Sequence, residues 1–494
     1  MMQKPLALLV AVLMLLLPTA SAQELVMAMS AQPETLDPHI TSATSSFQIT
    51  KSLYDTLVEP NQTGELVPAL ASSWAVSDDG LTITFNLVEA TFHDGTALDS
   101  ADVQATLERL LAEDTASPQA DEFQTITAIA TPDAQTVVLT LSEPSPALLT
   151  SLASGWGAIL PAEKIAEGHD FGNDPIGTGP FTLATWVRDS NVVLTRYADY
   201  YQGPAASEQV TVRFVADSAV QLQGLLAGDF DIIDTVASAD IPTVMAEEDV
   251  ELVQEPSGLV LVAAINNRRP YLADPLVRRA FNHAVDSETV LEVAYGGGTP
   301  VGTFMEAGSP WYPDSIEPFA YDTDLAQTLL AEAGFPEDQV LDIALPQPYE
   351  THITAGQIVQ AMLSDVGIDS ELRVVEWGVW LSDVYRGDND YDITVIGHTG
   401  KLDPTGRLGG YGDPAGNYLG YDSETVTTLL AQASQASAVS TRSTLYDEAL
   451  VAMHEDAPFI YFGTPFRNHA KRTEVEGFWM TPLLDTFDFH EASK

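Results

Sequence analysis

Residues 358–396 read IVQAMLSDVGIDSELRVVEWGVWLSDVYRGDNDYDITVI. From Ile358 to Val366 the apolar residues fall three and four apart, the spacing of a helix with one buried face, and Gly367 supplies the stop. Glu371 to Glu376 then reads as a strand, Val379 to Tyr385 as a short helix, and Asp392 to Ile396 as an apolar strand. Strand and helix in turn over so short a distance point to a mainly α/β lobe around a buried sheet.

The same alternation continues upstream. Asp274-Pro275 provides an N-cap and a first-turn proline for a helix whose buried stripe is Val277, Ala280, Phe281 and Ala284. Another helix, Thr323 to Ala333, ends at Gly334, and Pro336 prevents its continuation. In the first half, Leu81 to Leu87 alternates apolar and polar residues as a half-buried strand does; Thr136 to Leu141 and Val192 to Thr195 are further strands, the latter entered by a turn at Asp189-Ser190. Asp99 or Ser100 caps a helix through Val103, Leu107, Leu110 and Leu111. Downstream of the opening stretch, Thr399 to Gly420 is rich in glycine and proline, lacks periodicity and reads as a long loop, a class of segment that tends to carry function. It holds Arg407, Tyr411 and Tyr418, with Tyr421 directly after it. No period of about 20–50 residues repeats, which excludes a solenoid.

Length and composition narrow the class. The chain has 494 residues, room for about two or three folding units. Acids outnumber bases 71 to 20, a formal charge of −51, so there is no electrostatic footprint for nucleic acid or an anionic bilayer. Lysine occurs only at positions 4, 51, 164, 401, 471 and 494; a carboxylate-rich surface of this kind reads as adaptation to a saline exterior, with steering of cationic ligands as the alternative. The absence of cysteine excludes thiolate catalysis, Cys-ligated zinc, disulfides and a lipidated N-terminal cysteine. Lys4, the 12-residue apolar run Leu6 to Leu17 and the exit Ala20-Ser21-Ala22 read as a cleavable secretory signal over residues 1–22, since a spanning helix needs about 20 apolar residues. The expected location is a Gram-negative periplasm.

Catalytic spacings are missing. There is no G-x-S-x-G, no H-E-x-x-H, no Walker loop and no dinucleotide glycine fingerprint. None of the nine histidines pairs with another at helical spacing; His398, just before the long loop, is the single metal candidate, against the commoner role of a satisfied structural histidine. Carboxylate pairs suited to glycoside hydrolysis stay open among 71 acids. His93-Asp94-Gly95 reads as a tight turn with Gly95 at positive φ, and Gly177 and Gly179 as points of close chain crossing, the alternative being a phosphate cradle.

Several blocks, in order, carry a resemblance: Thr35-Leu36-Asp37-Pro38-His39, Leu53-Tyr54-Asp55-Thr56-Leu57-Val58, Leu66-Val67-Pro68-Ala69-Leu70-Ala71, Phe92-His93-Asp94-Gly95-Thr96 with Ala101-Asp102-Val103, Ile176-Gly177-Thr178-Gly179-Pro180-Phe181, Leu225-Leu226-Ala227-Gly228 before Asp231-Ile232-Ile233, Val277-Arg278-Arg279-Ala280-Phe281-Asn282, Ala331-Glu332-Ala333-Gly334-Phe335 and Asp456-Ala457-Pro458. Together they resemble the periplasmic solute-binding proteins of the peptide and nickel type (family 5), which feed ATP-binding-cassette importers. The resemblance implies an α/β fold of two lobes joined by hinge crossovers, with an extra subdomain inserted in the first lobe. Carried onto this chain, lobe one is 23–59, 174–264 and 462–494, the insert 60–173, and lobe two 265–461, with crossovers at Ile265-Asn266-Asn267 and Phe459-Ile460-Tyr461.

It also implies a site. Asp403, before Pro404, stands where peptide-binding members place the acid that receives an α-ammonium, while the residues alone read as an Asp-Pro turn. A second acid common after that proline is replaced by Thr405-Gly406-Arg407, so Arg407 is a candidate for a ligand carboxylate. Thr41, Ser42 and Ala43 correspond to the lobe-one loop that offers backbone and hydroxyl groups. Trp377 and Trp380 are candidates for an aromatic wall, with only one expected to reach the cleft; Tyr411 and Tyr418 are further candidates on the long loop. The implied function is capture of a small, peptide-like or otherwise amine-bearing solute by hinge closure and its delivery to a permease, by a monomer without cofactor or enzymatic step. A nickel chelate, an opine or an oligosaccharide are alternative guests on the same scaffold. A secreted carboxylate-dependent hydrolase, a periplasmic chaperone and a signalling co-receptor are the alternatives of other classes.

Overall fold

The computed structural model describes residues 24–347, 349–385, 389–399, 402–412, 417–436, 438–481 and 486–494. The expected signal segment 1–22 and parts of the long loop (400, 401 and 413–416) lie outside them.

Among the described residues a 12-stranded sheet runs through both halves of the molecule. One flank has the order Asp369–Val375, Val340–Pro346, Ile393–His398, Val260–Ile265. The other has Ile232–Ile233, Glu24–Met29, Gln209–Phe214, Asn191–Arg196, Phe181–Val187. A single 14-residue strand, Phe459–Arg472, joins them. Its first part pairs with Val260–Ile265 and Gly298–Pro300, and its second with Val250–Pro256 and Ile232–Ile233.

The second half is the α/β lobe that residues 358–396 led us to expect. Val260–Ile265 is buried at all six positions, as a strand covered on both faces must be. Helices Pro275–Ala284, Ser287–Tyr295, Thr323–Ala333 and Glu350–Asp365 pack on one face; Glu424–Gln435 and Val439–Asp456 pack on the other. Asp274 caps the first of these helices through the Leu276 N–H. In the first half, Ala71–Val76, Thr82–Leu87, Thr136–Leu141 and Ile126–Asp133 form a separate four-stranded antiparallel sheet, covered by the helix Ser100–Leu111 around its own core.

Four expectations are corrected. The helix expected from Ile358 begins at Glu350, eight residues earlier. The short helix expected from Val379 to Tyr385 is present but starts at Trp377, as an α-helical turn to Val379 that continues as a π-helix over Trp380–Tyr385. The long loop contains the helix Pro404–Leu408, too short to show a period. The crossings also move. Ile265 pairs with Ile393 deep in the second lobe, so the sheet changes partners at residues 257–259 and 463–466, not at 265–267 and 459–461. Apolar-to-polar transitions marked the end of a buried strand there, not the passage between lobes.

Candidate functional site

A cavity of about 400 Å³ lies between the two halves. That volume is within the range of small-molecule sites. Its lining is dominated by hydroxyl and aromatic side chains.

On the first-lobe side, Ser42 and Thr44 open the helix Thr44–Thr50, and Phe47 sits one turn in. The preceding loop is pinned from several directions. Thr41 donates its hydroxyl to Glu34 at 2.7 Å and accepts the Ala43 N–H at 3.1 Å, while the Trp156 indole donates to the Thr41 carbonyl at 2.8 Å. The edge of Phe47 meets Trp156 at 4.8 Å. Gly155 permits this approach, since a Cβ there would lie 2.1 Å from Phe47 Cδ1. Deeper in, Arg109 donates to Asp37 and to His39 Nδ1 (2.8 Å), and His39 Nε2 donates to the Ala158 carbonyl at 3.1 Å. Burial, helped by the Arg109 charge, lowers the His39 pKa to about 4, so the ring is neutral and can accept from the guanidinium.

On the second-lobe side the lining is Gly258, Leu259, Thr399, Leu402, Asp403, Thr405 and Gly406. Asp403 caps the helix Pro404–Leu408 by accepting the Thr405 N–H at 2.9 Å. Both its oxygens also accept from Arg442 Nη2, at 2.8 and 2.7 Å, and the two side chains are almost wholly buried. The acid that lines the cavity is therefore already paired with a guanidinium of this chain, itself 5.3 Å from the Trp311 ring centre.

Of the other sequence candidates, Ser42 lines the cavity, and Thr41 and Ala43 adjoin it. The rest lie elsewhere. Arg407 is buried against Glu306 at 2.8 Å, which leaves it facing no guest carboxylate. Trp377 and Trp380 stack on each other at 5.1 Å, and Trp380 donates to Thr394 Oγ1 inside the lobe; neither lines the cavity. Tyr411 packs edge-on against Phe304, and the Tyr418 hydroxyl meets His398 Nε2 at 2.9 Å. Burial holds the His398 pKa down at about 3, and no grouping of three metal-ligating side chains exists among the described residues.

Sequence reasoning missed Glu122, Ala147, Thr150, Ser151, Ser154, Gly155 and Trp156, which form most of the first-lobe wall. All fall within residues 60–173, where the sequence reading placed no site residue. A signal was present in Ser151-Leu152-Ala153-Ser154-Gly155-Trp156-Gly157, a small-residue loop with one aromatic anchor.

Comparison with known proteins gives consistent matches along the chain. Residues 65–418 match the family described as bacterial extracellular solute-binding proteins, family 5 Middle. The chain is 29% identical over 489 residues to the glutathione-binding protein GsiB of Escherichia coli O1:K1 / APEC, covering 96% of this chain and 94% of that protein. It superposes on HbpA2 of Haemophilus parasuis with a TM-score of 0.88 at 26% identity, covering 95% and 99% of the two chains. For the ABC transporter-associated periplasmic binding protein DppA of Helicobacter pylori, in complex with the peptide STSA, the TM-score is 0.72 at 25% identity, covering 96% and 98%.

Proposed function

Because the chain belongs to family 5 of the bacterial extracellular solute-binding proteins, we propose that its inter-lobe cavity captures a short peptide or a similar amine-bearing solute. The role of substrate-binding component of an ABC transporter comes with the family. The ligand class is our reading, and the cavity carries it. Hydroxyls of Ser42, Thr44, Thr150, Ser151, Ser154, Thr399 and Thr405 surround the space, with Phe47 and Trp156 on one wall and the Glu122 and Asp403 carboxylates at its border. Such a lining offers hydrogen bonds to peptide groups and a flat surface to a side chain. The names of GsiB and of the STSA-bound DppA support a peptide-like guest. Asp403 takes part as a hydrogen-bond acceptor that shares its charge with Arg442, not as a lone counter-ion.

In this reading, residues 1–22 direct the chain to the periplasm, the protein acts as a monomer without changing its guest covalently, and the closed form docks on a membrane permease. Guest contacts on both walls stabilise the closed arrangement.

A thermal-shift screen against dipeptides, tripeptides, opines, sugars and Ni²⁺ tests the ligand class. Peptides are expected to raise the melting temperature and reduce the scattering radius, with the guest recovered intact by mass spectrometry. Stabilisation by Ni²⁺ or sugars and not by peptides would replace the ligand class, and a cleaved guest would replace the binding role itself.

A further inference from the structure

Arg407 and Glu306 form the driest ion pair among the described residues, with side chains 2% and 0% exposed. A pair this buried adds little net stability, because desolvation offsets the attraction. Its position is more telling. Arg407 Nη2 also donates to the carbonyls of Gly258 (3.3 Å) and Thr399 (3.0 Å), while Nε and Nη1 have no hydrogen-bond partner. Every hydrogen bond the guanidinium makes thus leaves through one nitrogen. Gly258 is the middle of the first inter-lobe crossing, and Thr399 follows the strand Ile393–His398. Next to Glu306, the Ala307 N–H donates to Thr464 Oγ1 at 2.9 Å, and Thr464 lies in the second crossing. The crossings are tied to each other by the Ser257 N–H, which donates to the Pro465 carbonyl at 3.0 Å. Phe304, 5.6 Å from the Arg407 guanidinium carbon, closes one side of the pair.

We infer that Arg407 and Glu306 are positioning residues that clamp the first crossing, and through its Ser257–Pro465 bond the second, to the second lobe and so set the range over which the lobes move. The consequence for capture rests on the proposed closure of the cleft; the clamp itself does not. Reach is the reason for arginine: Nη2 lies one bond beyond the point where a lysine stem ends, so an ammonium there falls short of the Gly258 carbonyl.

The test uses the ligand-free full-length mature protein, so failure of any peptide to bind leaves it intact. With no cysteine in the chain, cysteines introduced at exposed Val187 and Val439 carry spin labels, one on each lobe. The double variant Glu306→Leu with Arg407→Met removes both charges and is expected to melt near the wild type. At that matched stability the inter-lobe distance distribution broadens, and amide exchange at residues 257–259 and 463–466 accelerates at least tenfold. The same distribution and exchange as wild type would overturn the clamp. Should the double variant fail to fold, Arg407→Lys keeps Glu306 neutralised, and the same gain in exchange is expected; unchanged exchange there overturns the proposal equally.

Discussion

Asp403 receives two hydrogen bonds from a guanidinium 39 residues downstream, and that partner changes what its substitution does. A lone acid facing solvent could be neutralised at little cost to the unliganded fold. Here Asp403→Asn strands Arg442 in a buried site, and removing one member of such a pair costs about 3–5 kcal/mol. We expect denaturant unfolding of the ligand-free variant to show that loss, and an unchanged midpoint would mean the pair is not held. His39 offers a second test. Its folded-state pKa of about 4 lies below the unfolded value of about 6.5, so the unfolded chain binds more protons between those limits. The residue's contribution is complete above pH 6.5 and lost as pH falls towards 4. His39→Gln should therefore lose less melting temperature than wild type between pH 7 and pH 5; equal losses would remove this linkage. Neither partner was legible locally: Arg109 reaches His39 from the insert, and Arg442 reaches Asp403 from a different helix.

At the scale of elements, local chemistry and outcome agree wherever the signal is made by neighbours in sequence. Asp99 accepts the Ala101 N–H, and Asp102 accepts the Asp99 N–H in return, closing a capping box on Ser100–Leu111. Asp99→Ala should cost about 1 kcal/mol in denaturant unfolding. Gly177 and Gly179 were read as a chain crossing, and a Cβ at Gly177 would lie 2.2 Å from the Leu53 carbonyl oxygen. Gly177→Ala must displace that backbone, so a large fall in melting temperature or loss of soluble protein is expected. A variant that melts like wild type would show the segment can yield. The helix Pro404–Leu408 escaped notice because five residues hold no period; its cap was visible, and was read as a bare Asp-Pro turn.

For the whole molecule, a formal charge of −51 with 20 basic residues means self-repulsion opposes folding at low ionic strength. Screening shortens to about 3 Å at 1 M salt. The melting temperature should rise from 0.05 to 1 M NaCl, more than for a charge-balanced control, and a flat or falling profile would mean the carboxylates are spaced too widely to repel. The sheet is the other global feature. Phe459–Arg472 belongs to both lobes: it is buried from Phe459 to Pro465 and becomes half-buried at Phe466 to Asn468, just past the passage.

Period, caps and glycine stops determined the α/β class, the helix and strand order of the second lobe and the absence of catalytic spacings, because each depends on residues within a few positions of one another. The tertiary structure alone decided where the sheet changes lobes, which charges are already paired and which segment walls the cavity. Those depend on groups tens to hundreds of residues apart: Trp156 under Thr41, Arg442 on Asp403, Arg407 on Gly258. An ionic side chain looks equally free in every sequence, and only folding shows whether its partner is a guest or its own chain.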